Sequence, residues 1–272
     1  MRRILFVALA VCLPLAAQKP APNPDEPYPP KPGQVFAKDG SGVFGYRNTD
    51  IQPWSGYHIH DPDRPAPPRV VPGERAGHAP SDAVILFDGT DLSKWNDPGW
   101  RVADGYVEAA TGHLVTKDEF GDIQLHIEWR VPDPPQGETM NRGNSGVNLM
   151  GVFEIQIHDT YSIPLAADSR AGAIYAQTPP MATAVRKPGE WQTYDIVFLA
   201  PRFEDGELSA PPRLTVFHNG VLIHHNQEIY GQTVHRRLAR PFEPGRTTGP
   251  ILLGAHRNPV RFRNIWLRKL GD

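Results

Sequence analysis

Between Arg142 and Asp159 the chain reads RGNSGVNLMGVFEIQIHD. Asn144, Asn148, Glu154, Gln156, His158 and Asp159 are poor strand formers by propensity, yet they sit inside a strand-like run, so something other than backbone preference accounts for them. Carboxylates and an imidazole in reach of one another are the groups of general acid–base chemistry, and amides and a guanidinium orient a polar substrate. On a strand rising about 3.3 Å per residue, Glu154, Gln156 and His158 project together at roughly 6 to 7 Å intervals. Asp159 joins them if a bulge follows Gln156. The plainer reading makes them solvated residues of an outer sheet face, with Arg142 paired to Glu154 across a hairpin and Asn144 holding a turn.

The element that must position them is itself legible. Val147, Leu149, Phe153, Ile155 and Ile157 recur every second residue within each half, which marks one face as core. Met150 and Gly151 interrupt the pattern as a tight turn or a bulge between two antiparallel strands, so the stretch is expected to be a hairpin. Gln124, His126 and Glu128 share a face of their own strand and are expected to floor the same surface as Glu154 and Gln156. Lys187 and Trp191 are expected at a loop mouth, and Tyr175 follows a small-residue run. Tryptophan and tyrosine faces suit the apolar side of a sugar ring, although Trp191 at a strand start is equally readable as core. Upstream, His58, His60, Asp61 and Asp63 are close enough for metal ligation. No further ligand is fixed, and the favoured reading is an arm anchored by Trp54 and Tyr57 with Asp61 or Asp63 paired to Arg64.

From Asp82 onward short strands follow one another, many alternating apolar with polar, and Asp104-Gly105 and Asn219-Gly220 stand where hairpins need them. About eleven strands and no helical stripe predict an all-β, antiparallel jelly-roll sandwich over 82–272. The thirty prolines concentrate before it. They define a spacer over 18–34 and an extended arm over 35–81. Residues 1–17, two arginines and then an apolar run, have the form of a secretory signal peptide and are too short to span a bilayer. Export to the periplasm or exterior is expected, with a lipoprotein anchored through Cys12, the sole cysteine, as the alternative. A net charge of −2 with dispersed basic residues leaves no footprint for nucleic acid. Oligomeric state is not legible.

Seven blocks, ILFDGTDLSKW, GDIQLHIEWR, RGNSGVNLMGVFEIQIHDTY, GAIYAQTPP, RKPGEWQTYDIVF, FHNGVLIHHNQE and NPVRFRNIWLR, resemble in order and spacing the 3-keto-disaccharide hydrolase domain family. The resemblance implies a concanavalin-like jelly roll, distantly similar to laminarinase-type glycoside hydrolases, and activity on glycosides oxidised to a ketone at C3. Those remote hydrolases carry Glu-x-Asp-x-x-Glu on a bulged strand, where this chain has Glu154, Gln156 and Asp159. The family usually shows Gln-Asp-His-Gly near its end, where this chain has Gly254, Ala255, His256 and Arg257, keeping the histidine.

A C3 ketone acidifies the hydrogen on C2, so the C1 bond can break by elimination, with water then adding to the enone. That chemistry needs a base, a donor or cation for the enolate oxygen and an acid for the leaving group. The candidates are Glu154 or His256 as base, Arg142 with Asn144 at the enolate, and Asp159 or His158 as acid. Gln156, Glu128, Tyr175, Lys187 and Trp191 would contact substrate. A divalent ion held by Glu154, Asp159 and His256 could replace Arg142. The competing class is a glycan-binding module without catalysis.

Overall fold

The computed structural model describes residues 31–271, which fall into two compact units, one ending in sequence at Arg69 and the other beginning at Val70. The signal segment and most of the spacer lie outside the described residues.

The first unit holds β1 (Val35–Phe36) and β2 (Phe44–Gly45), an antiparallel pair. Three of its four candidate metal ligands, His58, Asp61 and Asp63, are committed elsewhere. Asp63 accepts the Lys38 amide (2.8 Å) and pairs with Arg47, and His58 Nδ1 lies 2.5 Å from the Thr49 carbonyl. Arg64, the expected partner, instead donates to Gln52 and lies over the Tyr57 ring.

The second unit is a two-sheet antiparallel sandwich of jelly-roll type. In chain order its strands are β3 (Val84–Phe87), β4 (Trp95–Asn96), β5 (Arg101–Ala103), β6 (Tyr106–Glu108), β7 (Leu114–Thr116), β8 (Ile123–Arg130), β9 (Ser145–Leu149) and β10 (Phe153–Ile157). There follow β11 (Gln192–Leu199), β12 (Arg202–Glu204), β13 (Glu207–Ala210), β14 (Arg213–His218), β15 (Val221–Glu228), β16 (Leu252–Leu253) and β17 (Arg261–Lys269). One sheet runs β10-β9-β16-β7-β4; the other runs β15-β14-β11-β8-β17-β6-β5, with β3 added on β17. Trp95, Trp129, Tyr194, Phe198 and Phe262 are fully buried in the core shared by the two sheets. Burying side chains of this size, at about 25 cal/mol per Å² of apolar surface, is what holds two sheets together.

The hairpins expected at Asp104-Gly105 and Asn219-Gly220 are present as β5-β6 and β14-β15, and all four turn residues take positive φ. Two expectations differ. AGAIYAQ, read as a strand, is a loop held against β10 by an isolated bridge, Ile155–Ile174, and by backbone bonds at Ala173 and Tyr175. The β12-β13 ribbon was not anticipated, because β13 is exposed along its whole length and so carries no alternation to read. Among the described residues no helix is long and apolar enough to cross a membrane.

Candidate active site

The β9-β10 hairpin builds the site. Met150 and Gly151 take φ of 52° and 71°, and the Val152 amide closes the turn on the Leu149 carbonyl (3.1 Å). The register pairs Phe153 with Leu149, Glu154 with Asn148 and Gln156 with Gly146. Val147, Leu149, Phe153, Ile155 and Ile157 are buried in the core. The pleat therefore turns Gly146, Asn148, Glu154 and Gln156 to the other face.

Over that face lies a hollow of about 300 Å³. Glu154 and Gln156 come from β10, Asn144 and Met140 from the turn before β9, and Tyr175 from the loop bridged to β10. Thr233 and His235 come from the connection after β15, and His256 from the turn after β16. Backbone bonds tie these loops to the hairpin. Thr233 Oγ1 accepts the Glu154 amide (3.1 Å), and the Tyr175 amide donates to the Glu154 carbonyl (3.0 Å). The Gly254 amide donates to the Gly146 carbonyl (2.9 Å), and Ser145 Oγ donates to the Gly254 carbonyl (2.6 Å), which fixes the start of the His256 turn.

Asn258, 2 % exposed, clamps two walls together. Its Oδ1 accepts the Gly143 amide (3.1 Å), while its Nδ2 donates to the His256 carbonyl (2.9 Å) and to Asn141 Oδ1 (3.0 Å).

The electrostatics single out one carboxyl. The Glu154 side chain has no hydrogen-bond or ion-pair partner among the described residues, and burial pushes its pKa up to about 7. His256 is pushed below the usual imidazole range by burial and by the nearby His113 and His235, so it is neutral at pH 7. Tyr175 Oη lies 2.6 Å from His235 Nδ1 with the two rings stacked 4° from parallel. Burial, then the charges of Glu154 and Asp168, holds the phenol above its ordinary value, so it keeps its proton. The hollow thus joins an ionisable carboxyl poised near neutrality, a neutral imidazole, a phenol–imidazole pair and two amides. This is the inventory of general acid–base chemistry on a polar substrate.

Of the candidates from sequence, Glu154, Gln156, Asn144, Tyr175 and His256 line this hollow. The others lie elsewhere. Asp159 is 1 % exposed, accepts Arg142 Nε at 2.8 Å and takes the Ser162 amide, so both Arg142 and Asp159 are spent on one another beneath the 139–142 turn. No bulge follows Gln156, and the Asp159 amide donates to the Arg142 carbonyl (3.2 Å). His158 is fully buried, with neither ring nitrogen hydrogen-bonded, and burial lowers its pKa. Glu128 belongs to the eight-stranded sheet, where it takes Arg263 Nε (2.6 Å) and Asn264 (2.9 Å). Trp191 lies beneath Arg263 and Arg130, and Lys187 is exposed on its loop. Glu154, Asp159 and His256 do not converge as ligands; among the described residues no three His, Cys, Asp or Glu side chains are grouped to hold a metal ion. Sequence reasoning missed His235 and Thr233. The available signal was the length of the connection from β15 to β16, long for a compact domain.

Comparison with known proteins agrees with this architecture. No protein of curated function shows a significant sequence match to the chain. A crystal structure of a candidate glycosyl hydrolase from Parabacteroides distasonis ATCC 8503 is 40% identical, covers 82% of this chain and 100% of its own, and superposes with a TM-score of 0.72. Two further candidate glycosyl hydrolases from the same organism share the fold. One is 21% identical over 70% of this chain and 94% of its own (TM-score 0.51); the other is 24% identical over 69% and 99% (TM-score 0.50). The 3-keto-alpha-glucoside-1,2-lyase-like domain matches residues 82–268. The hollow therefore sits in a carbohydrate-active protein, and the chain belongs to the 3-keto-alpha-glucoside-1,2-lyase-like domain family.

Proposed function

We propose that the protein cleaves 3-keto-glycosides in the Glu154 hollow by eliminating the C1 substituent across C1–C2 and then adding water. The single observation that carries this reading is the solitary carboxyl. Direct hydrolysis with retention uses two carboxyl groups about 5 to 5.5 Å apart, and inversion uses two at a longer spacing. Glu154 is the one carboxylate lining the hollow.

Glu154, ionised, takes the proton from C2, whose acidity comes from the adjacent ketone. The electron pair moves into C1–C2 as the C1–O bond breaks, and the Tyr175–His235 pair delivers a proton to the departing oxygen. Asn144, Gln156 and His256 contact the ketone oxygen and ring hydroxyls, the roles Arg142 would have held were it not bound to Asp159. Water then adds at C1 and gives its other proton back to the Tyr175–His235 pair, while Glu154, its carboxyl proton exchanged with solvent, protonates C2, so the net change is hydrolysis. The apolar run after Arg2 and Arg3 supports export, so that the substrate is met outside the cytoplasm.

The test is release of a chromogenic aglycone from a 3-keto-glucoside and from its unoxidised parent. Release from the keto form alone is expected. Equal release from both would mean ordinary hydrolysis, and binding without release would mean a glycan-binding module.

A further inference from the structure

Arg130 stands at the centre of a cluster that the Glu154 hollow does not use. It is the last residue of β8, between the core residues Trp129 and Val131, so the strand pleat turns it to the outer face of the eight-stranded sheet. There guanidinium and ring alternate. Arg263 lies 4.1 Å from the Trp191 centroid and Arg130 4.7 Å from the same ring, while Arg130 and Arg261 lie 5.5 and 4.6 Å from Tyr106.

The charges in this ladder do not balance. Glu108 takes Arg261 Nε (2.6 Å) and Arg101 (3.0 Å), and Glu128 takes Arg263 Nε (2.6 Å). Arg130 is left with no carboxylate and no hydrogen-bond acceptor among the described residues, and the residue directly opposite it on β17 is Arg261. Like charges opposite one another destabilise a sheet, so strand pairing does not explain the arrangement. Burial, Arg261 and Arg263 all work against the Arg130 charge. What remains is a half-buried guanidinium, held by two rings, with its donors unused.

We propose that this arginine–aromatic ladder binds carboxylated sugar units, a uronate-type glycan seated on the outer face of the eight-stranded sheet and separate from the Glu154 hollow. The guanidinium fork matches a carboxylate in bidentate geometry, and rings that already fix it reduce the ordering cost of binding. Tyr106 and Trp191 place amphipathic rings beside the fork, a surface suited to sugar. Arg263 also lines a groove of about 920 Å³ together with the 71–81 segment, where Arg75 and His78 stand beside the carboxylates Glu74, Asp88 and Glu128. The groove gives neighbouring sugar units room. A net charge of −2 over the chain leaves the excess local, which favours a carboxylated glycan over a long nucleic acid.

The experiment is titration calorimetry of the whole protein with a short oligogalacturonate, a neutral galacto-oligosaccharide of matching length, and inorganic phosphate. The oligogalacturonate is expected to bind, more weakly as salt rises, and the other two are not. Arg130→Gln is expected to weaken it roughly tenfold or more, the scale of one charge-assisted pair. Glu154→Gln is expected to keep full affinity. Should Arg130→Gln fail to fold, Arg130→Lys, which keeps the charge and loses the fork, carries the comparison. No oligogalacturonate binding, equal binding of phosphate or of the neutral chain, unchanged affinity in the Arg130 variant, or loss of affinity in Glu154→Gln would each overturn the proposal.

Discussion

The Glu154 carboxyl lies over the backbone of Gly146, across the hairpin and two pairs along from its own partner Asn148. A Cβ at position 146 would overlap Glu154 Oε1 and crowd its Cγ and Cδ. Gly146 has ordinary strand geometry and no positive φ, so its lack of a side chain serves the carboxyl rather than the backbone. Gly146→Ala is therefore expected to push Glu154 out of position while the sheet stays paired. Activity on the 3-keto-glycoside should fall roughly 100-fold, the scale of a misplacement of about 1 Å. Kinetics beside a circular dichroism melt would check this, and an active variant would remove Glu154's placement from the account.

With Glu154 as the proposed base, active in its ionised form, kcat/KM should climb as pH rises through about 7, the value to which burial lifts this carboxyl. An acid role would give the opposite slope. Glu154→Gln should lower kcat roughly 10²- to 10⁴-fold and abolish that inflection, with no loss of thermal stability because an unpartnered buried carboxyl is replaced by a neutral amide. A retained inflection in the variant would assign the titration to another group.

Asn258 should behave as a positioning residue. Asn258→Ala frees the Gly143 amide and the carbonyl of His256, and removal of such buried bonds costs about 1–3 kcal/mol. Because the clamp joins the Asn144 turn to the His256 turn, KM should rise along with the loss in melting temperature. A lowered melting temperature with unchanged KM would make Asn258 structural alone.

The other sheet carries a pH-dependent term in stability of its own. Burial by itself would lower the His126 pKa, but bonds to Asp195 (2.6 Å) and the charge of Glu128 outweigh it and hold it at about 9. Since the folded protein holds this proton more tightly than the unfolded chain, the stabilisation is complete below about 6.5 and is lost as pH rises through about 9. Glu128 works from the acid side. Burial would raise it, yet His126, Asn264 and Arg263 bring it to about 2, so its contribution is present above about 4.5 and lost as pH falls toward 2. Melting temperature should decline from pH 6.5 to 9 in the native protein, and decline less in Asp195→Asn. A flat profile would contradict a charged His126.

The hairpin was legible because its alternation states which side chains face the core, and because Met150-Gly151 marks the turn. Alternation says inward or outward but not which sheet, so Glu128 and Glu154, both outward, were assigned one surface although they lie on opposite sheets. Asp159 was misplaced for a related reason. Two residues beyond β10 the strand rule lapses, and its direction is set by Arg142, a contact that exists only once the 139–142 turn has folded. His235 reaches the hollow on a long connection with no period to read. His256 was found through the family resemblance rather than through any local pattern.

The central claim is that C2–H cleavage by Glu154 precedes loss of the aglycone, and it is tested most directly with a 3-keto-glucoside deuterated at C2. Elimination predicts that release slows with the deuterated substrate and that the deuteron washes out into solvent water. Release at an unchanged rate, with the deuterium retained at C2 in the sugar product, would contradict the account.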